Sequence, residues 1–269
     1  MRCLKIFAPA ATAAMMLVSC EKELDIKYRD IDPIPVIEGA LTTGGATVAL
    51  TMTTPMDEPM DRTRLTDAAV ELADLTSGEI VTLTPDTNGD YVSDIPGVPG
   101  HDYRLTVSRA GAVYTSECRM LPAPEIAGME FNWIKMPYDH VAVLQVLIAD
   151  DPATTGDCYW VRVYRNGEMY RWTYVRDNLA EDGYIAEVIM TSRRDVDEED
   201  DDEVLVDGDV VSATVTRISR AMYDYLEAIS SDSNGPSMFA GDFCLGYFTA
   251  GGMSGRSVVF RPADIPEYK

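Results

Sequence analysis

Short runs of alternating apolar and polar residues, separated by turn residues, limit the folds open to this chain. The run at 46–52 alternates in this way, and Asn88-Gly89 lies between the apolar runs 80–83 and 91–92. Asn-Gly is a strong hairpin signal because both residues tolerate positive φ. Residues 36–120 show no helical period. Short strands at this spacing predict a β-sandwich.

A second set of strand-like runs follows the proline-rich linker Leu121-Pro122-Ala123-Pro124. Asn166-Gly167 marks another hairpin within it. One helix is predicted at 219–231, because Ile218, Met222, Leu226 and Ile229 recur at helical spacing and Ser219 can cap the start. The runs 245–248 and 257–260 are interpreted as a terminal pair of strands.

The N-terminus has the composition of a bacterial lipoprotein signal. A basic start is followed by the apolar stretch 6–18, which is shorter than the about 20 residues of a membrane-spanning helix. The stretch ends in Leu17-Val18-Ser19-Cys20, which resembles a lipobox. We therefore expect cleavage before Cys20, a diacylglyceryl group on its thiol and an N-acyl chain on its amine. Several acyl chains would hold the protein on a membrane.

The predicted organisation is mainly β, with two β-sandwich-like domains, the second carrying one amphipathic helix. Its parts are a signal peptide at 1–19, a lipidated tether at 20–35, a first domain at 36–120 and a second domain at 126–269 with the helix at 219–231.

The charge of the predicted mature chain is strongly negative. Without Arg2 and Lys5, 20 basic residues stand against 45 acidic ones, a net charge near −25. Such a surface repels nucleic acid and suits a cationic or metal-bearing partner. Three cysteines remain, Cys118, Cys158 and Cys244, with no C-x-x-C pair. One disulfide or three buried thiols both fit this pattern.

A set of motifs then resembles a known family. The set comprises the lipobox, VIEG at 36–39, NGDY at 88–91, GHDYRLTV at 100–107, YTSE at 114–117, the proline linker, YWVRV at 159–163, YDYL at 223–226 and LGYF at 245–248. In order and spacing these resemble the Bacteroidota outer-membrane lipoprotein family of domain of unknown function 4249. The first domain also resembles the carboxypeptidase-regulatory or transthyretin-like sandwich, an Ig-like β-sandwich. The resemblance implies an accessory protein of a TonB-dependent transporter and supplies no catalytic residues.

Catalytic motifs are missing from the sequence. The only histidines, His101 and His140, both lie near turns, and Gly252-Met253-Ser254-Gly255-Arg256 lacks the second glycine of a nucleophile elbow. There is no H-E-x-x-H, P-loop or G-x-G-x-x-G motif. A hydrolase using His101 or His140 is the third hypothesis, after the two binding roles.

The acidic run 195–203 is the most unusual stretch of the chain. Its carboxylates suit calcium, and Asp195, Asp197 and Glu199 are the candidate ligands. Asp200 stands where an EF-hand loop requires glycine. Like-charge blocks are usually solvated loops, so the pattern favours a loop, with calcium binding as the alternative and no other cofactor expected.

Three aromatic residues, Tyr170, Trp172 and Tyr174, share one face of a predicted strand. A row of rings can stack on a sugar, but alternation with Arg171 and Thr173 favours a core face.

Acidic residues after Cys20 resemble a surface-export signal and equally fit a hydrophilic tether. The sequence thus favours a non-enzymatic, outer-membrane lipoprotein partnering a TonB-dependent transporter, exposed on the cell surface or the periplasmic face. The alternative is a stand-alone lipoprotein that binds glycan, peptide or calcium.

Overall fold

A computed structural model describes residues 32–55, 58–59, 62–137, 140–149, 153–177, 183–192, 204–233 and 235–266. The described chain is mainly β with one α-helix, which confirms the predicted fold class. The strands are β1 (Pro35–Thr42), β2 (Gly45–Met52), β3 (Ala69–Asp74), β4 (Ile80–Pro85), β5 (Tyr91–Ser93), β6 (Asp102–Arg109), β7 (Ala112–Arg119), β8 (Ile126–Lys135), β9 (His140–Ile148), β10 (Cys158–Arg165), β11 (Glu168–Arg176), β12 (Tyr184–Ser192) and β13 (Val210–Ile218). After them come α1 (Arg220–Ser230), β14 (Ala240–Gly241), β15 (Leu245–Ala250), β16 (Met253–Val259) and a short 3-10 helix at Pro262–Asp264.

The first sandwich is a nine-stranded sheet, in the order β14-β7-β6-β3-β4-β5-β2-β1-β15, that folds over one core. Ile37 and Leu50 on one side of this core meet Val70, Leu105 and Val107 on the other, and each of these side chains is almost fully buried. The alternation seen in the sequence provides this apolar face, because successive side chains of a strand point to opposite sides. The Asn88-Gly89 hairpin joins β4 and β5 as predicted.

The second sandwich packs two smaller sheets against each other. The three-stranded sheet has the order β12-β9-β8, and the four-stranded sheet has the order β11-β10-β13-β16. Val146 on β9, Val161 on β10 and Val215 on β13 are fully buried between them. Asn166-Gly167 joins β10 and β11 as predicted, with Asn166 at φ 49° and Gly167 at φ 94°.

The last strands do not form the terminal pair that the sequence suggested. β15 runs parallel to β1 in the first sandwich, and β16 runs antiparallel to β13 in the second. β14 also pairs with β7 of the first sandwich. Residues 240–250 therefore belong to the first sheet, although the sequence-based boundary placed them in the second domain. The chain crosses between the two sandwiches several times, and the strands at the crossing bind the two units together.

The helix α1 lies where the two sandwiches meet. Ser219 caps it by accepting a hydrogen bond from the Met222 amide, as predicted. Met222 and Leu226 are buried in a third apolar cluster with Cys158 and Ile218. An apolar stripe of this kind stabilises a short helix mainly through packing.

The three cysteines, Cys118, Cys158 and Cys244, are free thiols. The sequence had left open whether two of them form a disulfide. Burial raises the pKa of the Cys244 thiol to about 11, so it is protonated at neutral pH. In the described part of the chain, no helix has the length and apolar character needed to cross a membrane.

Candidate functional site

The outer face of the four-stranded sheet carries polar and aromatic side chains in register across its strands. In its middle row, Arg162 on β10 lies between Trp172 on β11 and Thr214 on β13, and Thr214 pairs in turn with Gly255 on β16. The adjacent row contains Tyr174, Trp160, Thr216 and Met253. We call these two rows the outer face. Its indole, hydroxyl and guanidinium groups are the kinds of side chain that hold a polar ligand.

The first sandwich covers part of the outer face and leaves a groove of about 450 Å³ between them. One wall consists of residues from β10, β13 and β16, and the other of residues from β1 and β2, with Tyr247 of β15 between them. The lining residues are Glu38, Ala40, Thr42, Gly45, Thr47, Ala49, Arg162, Tyr164, Thr214, Tyr247 and Met253. We call this space the groove.

Arg162 lines the groove, and none of the described residues gives it an acidic partner. Its guanidinium carbon lies 4.8 Å from the centre of the Trp160 ring, a cation–π contact. Its Nη2 atom has only long contacts, 3.5 Å to the Thr216 Oγ1 and 3.5 Å to the Met253 Sδ. Two other arginines of this sandwich are paired with a carboxylate, Arg165 with Asp209 at 2.7 Å and Arg217 with Asp157. Arg162 differs from these two in that no carboxylate of the described residues contacts it.

Three buried polar atoms on the outer face have no hydrogen-bond partner. They are the Nε1 of Trp160, the Nε of Arg162 and the Oγ1 of Thr214. A buried polar atom without a partner costs about 1–3 kcal/mol, and native structures contain few of them. Arg162 and Thr214 line the groove, and Trp160 lies beside Arg162 on the same face. Within the part of the chain that the structure describes, the hydrogen bonds of this face are therefore incomplete next to the groove.

Tyr247 connects the groove to the rest of the junction. Its ring makes an edge contact with Trp160, at 5.8 Å between centroids, and contacts Tyr225 of α1 at 5.7 Å. Burial, and secondarily the charge of Glu38, raise the pKa of the Tyr247 hydroxyl. Tyr247 is therefore neutral at physiological pH.

The three predicted aromatic residues do not share one face. A bulge beside Val163 and Tyr164 displaces Tyr170, which packs against the core of the second sandwich. Trp172 and Tyr174 remain on the outer face, with ring centroids 6.3 Å apart. Tyr174 also packs against Tyr223 of α1 at 5.1 Å, whereas Trp172 is 39% exposed. Of the three, Trp172 is thus the residue with a ring that a ligand can reach.

The two histidines lie in different sandwiches. His101 Nδ1 is 2.7 Å from a carboxylate oxygen of Asp74 in the first sandwich, and His140 begins β9 in the second. Burial raises the pKa of Asp74, but the hydrogen bonds from His101 and from the Ser77 and Thr76 amides outweigh it and hold that pKa well below its usual range. This hydrogen-bonded contact joins the end of β3 to the residue that precedes β6.

Two predicted sites lie outside the described residues. These are the lipidation site Cys20 and the acidic run with Asp195, Asp197 and Glu199. Within the described ranges, no cluster of three or more His, Cys, Asp or Glu side chains has the arrangement of a metal site.

Sequence reasoning missed Arg162 and Thr214. A signal was present, because Arg162 interrupts the otherwise apolar and aromatic run 158–164 at an outward position. Strand alternation alone assigns such an arginine to solvent. That the first sandwich covers this position follows only from the tertiary structure.

No family model and no curated protein sequence matches the chain. Among solved structures, a segment of two fibronectin type-III domains from chicken tenascin is similar at 11% identity, covering 86% of this chain and 99% of that one, with a TM-score of 0.25. A putative carbohydrate binding protein from Bacteroides uniformis is similar at 8% identity, covering 84% and 98%, with a TM-score of 0.26. The FN1–FN3 domains of chicken CNTN1 follow at 13% identity, covering 79% and 66%, with a TM-score of 0.24. At these TM-scores the likeness carries no information on function.

Proposed function

We propose that this protein is a non-catalytic, lipid-anchored binding protein of the outer membrane. It holds a small polar ligand in the groove and partners a TonB-dependent transporter in nutrient uptake. The observation that supports a binding role is the group of three buried polar atoms on the outer face, Trp160 Nε1, Arg162 Nε and Thr214 Oγ1, none of which has a partner. A bound ligand supplies those partners and recovers the cost of burying them.

The binding role can be tested by filling the groove. Thr47 is an exposed residue of β2 that lines it, so Thr47→Trp places a ring in the ligand's space on a strand that accepts aromatic residues well. Thr82→Trp makes the same change at an exposed position of β4 outside the groove lining. Both variants are made in the mature chain carrying Cys20→Ser, which has no lipid.

The readout is binding to an array of glycans and short peptides. We expect the parent chain and Thr82→Trp to bind the same members of the array, and Thr47→Trp to lose them. Equal binding by all three chains would place the site elsewhere, and an array on which the parent binds nothing would argue against a stand-alone ligand site.

The anchor and the transporter need separate experiments. Palmitate labelling of the full chain in its host should give a labelled protein, and Cys20→Ala should abolish the label.

Mild-detergent pull-down of the lipidated protein should recover a TonB-dependent transporter in near-stoichiometric amount. Recovery of the lipoprotein alone would leave the stand-alone binding role as the better description.

A further inference from the structure

The hydrogen-bonding character of the outer face restricts the chemistry of its ligand. Trp160 Nε1 and Arg162 Nε can only donate, and the Thr214 hydroxyl can donate as well. The three unpartnered atoms are therefore mainly donors that lack an acceptor. A ligand that completes their hydrogen bonds presents oxygen atoms with free lone pairs.

Arg162 adds a charge requirement. Its guanidinium is always protonated and has no carboxylate in contact. The side-on edge of a guanidinium, formed by Nε and one terminal nitrogen, matches the two oxygens of a carboxylate. In Arg162 this edge combines the unpartnered Nε with Nη2, which has only the two 3.5 Å contacts.

The rest of the groove favours a singly charged group. Glu38 lines the opposite wall, and the predicted mature chain has a net charge near −25. Both repel a phosphate dianion more strongly than a carboxylate. Met253 lies against Nη2 with a side chain that is 41% exposed, and its unbranched chain can rotate to open the edge.

Trp172 indicates the kind of molecule to which the carboxylate belongs. It is the register partner of Arg162 on the next strand, so both side chains leave the sheet on the same side, and its ring is 39% exposed. An indole beside a guanidinium suits a ring with an apolar face and a carboxylate at its edge. A uronic acid residue of an oligosaccharide has both.

We propose that the outer face binds a uronic-acid-containing oligosaccharide, with the carboxylate on the Nε/Nη2 edge of Arg162 and the sugar ring against Trp172. This rests on the proposed function, since Arg162 and Thr214 line the groove and Trp172 is the register partner of Arg162 at its side. Thr214 completes the site by donating to the same group of acceptor oxygens.

The test compares acids with their neutral esters. Trimers of galacturonate, mannuronate and guluronate, and the methyl ester of each, are titrated calorimetrically into the mature chain carrying Cys20→Ser. The ester keeps the ring and removes the charge. We expect at least one acid to bind about tenfold or more tightly than its ester, as the loss of a charged hydrogen-bonded pair requires. Trialanine and its amide test whether the carboxylate of a peptide is taken instead.

Variants then assign the effect to Arg162. Arg162→Met should reduce acid binding about tenfold or more and reduce ester binding by less, because the ester loses a neutral hydrogen bond and not a charged pair. Arg162→Lys keeps the charge without the planar edge and should give an intermediate loss. Arg104→Met is the control, since it removes one positive charge from an exposed pair with Glu117 in the first sandwich. Thermal unfolding of each variant checks that it is folded.

Several results would overturn the inference. The first two are equal affinity for an acid and its ester, and acid binding that survives Arg162→Met. The other two are binding of trialanine without binding of any uronate trimer, and no binding of any trimer at all. Loss of a neutral glycan in Thr47→Trp would, by contrast, support the groove as a binding site while excluding the acidic ligand. Failure of the ligand class and failure of the binding role are thus separate outcomes.

Discussion

The two faces of the four-stranded sheet are built from alternate residues of the same strands and differ sharply. On the inner face Val161, Val163 and Val215 are fully buried against the three-stranded sheet. On the outer face Arg162 and Thr214 alternate with them along the strands and meet the first sandwich across the groove. The inner face is covered by complementary apolar surface, whereas the outer face is covered only in part and leaves Trp172 39% exposed.

This difference shows what each face contributes. Close packing of apolar side chains satisfies the inner face completely and stabilises the fold. The outer face retains polar atoms that the chain does not satisfy, so its residues lower stability in the absence of a ligand. Changes on the inner face should therefore be costly, whereas equivalent changes on the outer face should be neutral or stabilising and should affect binding.

The largest effect is expected from a charge on the inner face. Val161→Asp buries a carboxylate with no partner, and we expect a loss of at least about 4 kcal/mol in the free energy of unfolding. Urea denaturation followed by circular dichroism measures it. Ser257→Asp, at an exposed position of the same sheet, should cost less than about 1 kcal/mol. Similar losses for the two variants would contradict the burial of the inner face.

The junction that places the first sandwich over the outer face should be the next most sensitive. Gly246 on β15 has φ 105°, and a Cβ there would overlap the carbonyl oxygen of Ile37 on β1. Gly246→Ala should cost about 2 kcal/mol or more, measured by urea denaturation. Gly78 also has a positive φ, 81°, but open space around it, so Gly78→Ala should cost about 1 kcal/mol. Equal costs would mean that the β1–β15 pairing is loose.

A pair of exchanges at adjacent residues of β13 separates the two faces directly. Val215→Thr adds a hydroxyl to the inner face and should cost about 1–3 kcal/mol, since Val215 is fully buried in an apolar cluster. Thr214→Val removes an unpartnered hydroxyl from the outer face and should leave stability unchanged or raise it by about 1 kcal/mol. Chemical denaturation of both variants with the parent gives the comparison. Losses of the same sign and size would show that the two faces are equally well packed.

The smallest effect on stability is expected at Arg162. Arg162→Met replaces an unpaired guanidinium with an apolar chain of similar length, and we expect a change within about 1 kcal/mol, towards greater stability. Arg165→Met is the matched change at a paired position, where Asp209 is 6% exposed, and it should cost about 2 kcal/mol or more. Thermal unfolding of the two variants tests this order. A loss at Arg162 as large as that at Arg165 would give Arg162 a structural role.

Local features of the fold could be predicted from the sequence. The two Asn-Gly turns, the capped helix near 219–231 and the alternation of the strands depend on backbone preferences and side-chain period over a few residues. Such signals are confined to short windows of the chain and survive in it whatever the rest of the molecule does. The outward position of Arg162 also follows from alternation alone.

Long-range pairing and the candidate site were decided only by the tertiary structure. β1 and β15 are separated by some two hundred residues in the chain, and a parallel edge pairing of this kind has no local sequence signal. The bulge that removes Tyr170 from the aromatic row leaves Tyr170 as the unpaired residue of β11, and it is defined only by the register between β10 and β11. Arg162 becomes a half-buried cation with an unpartnered Nε because a distant part of the chain is placed over it. The amino-acid sequence determined which side chains leave each strand on which side, and only the packing of the two sandwiches decided which of them lack a partner.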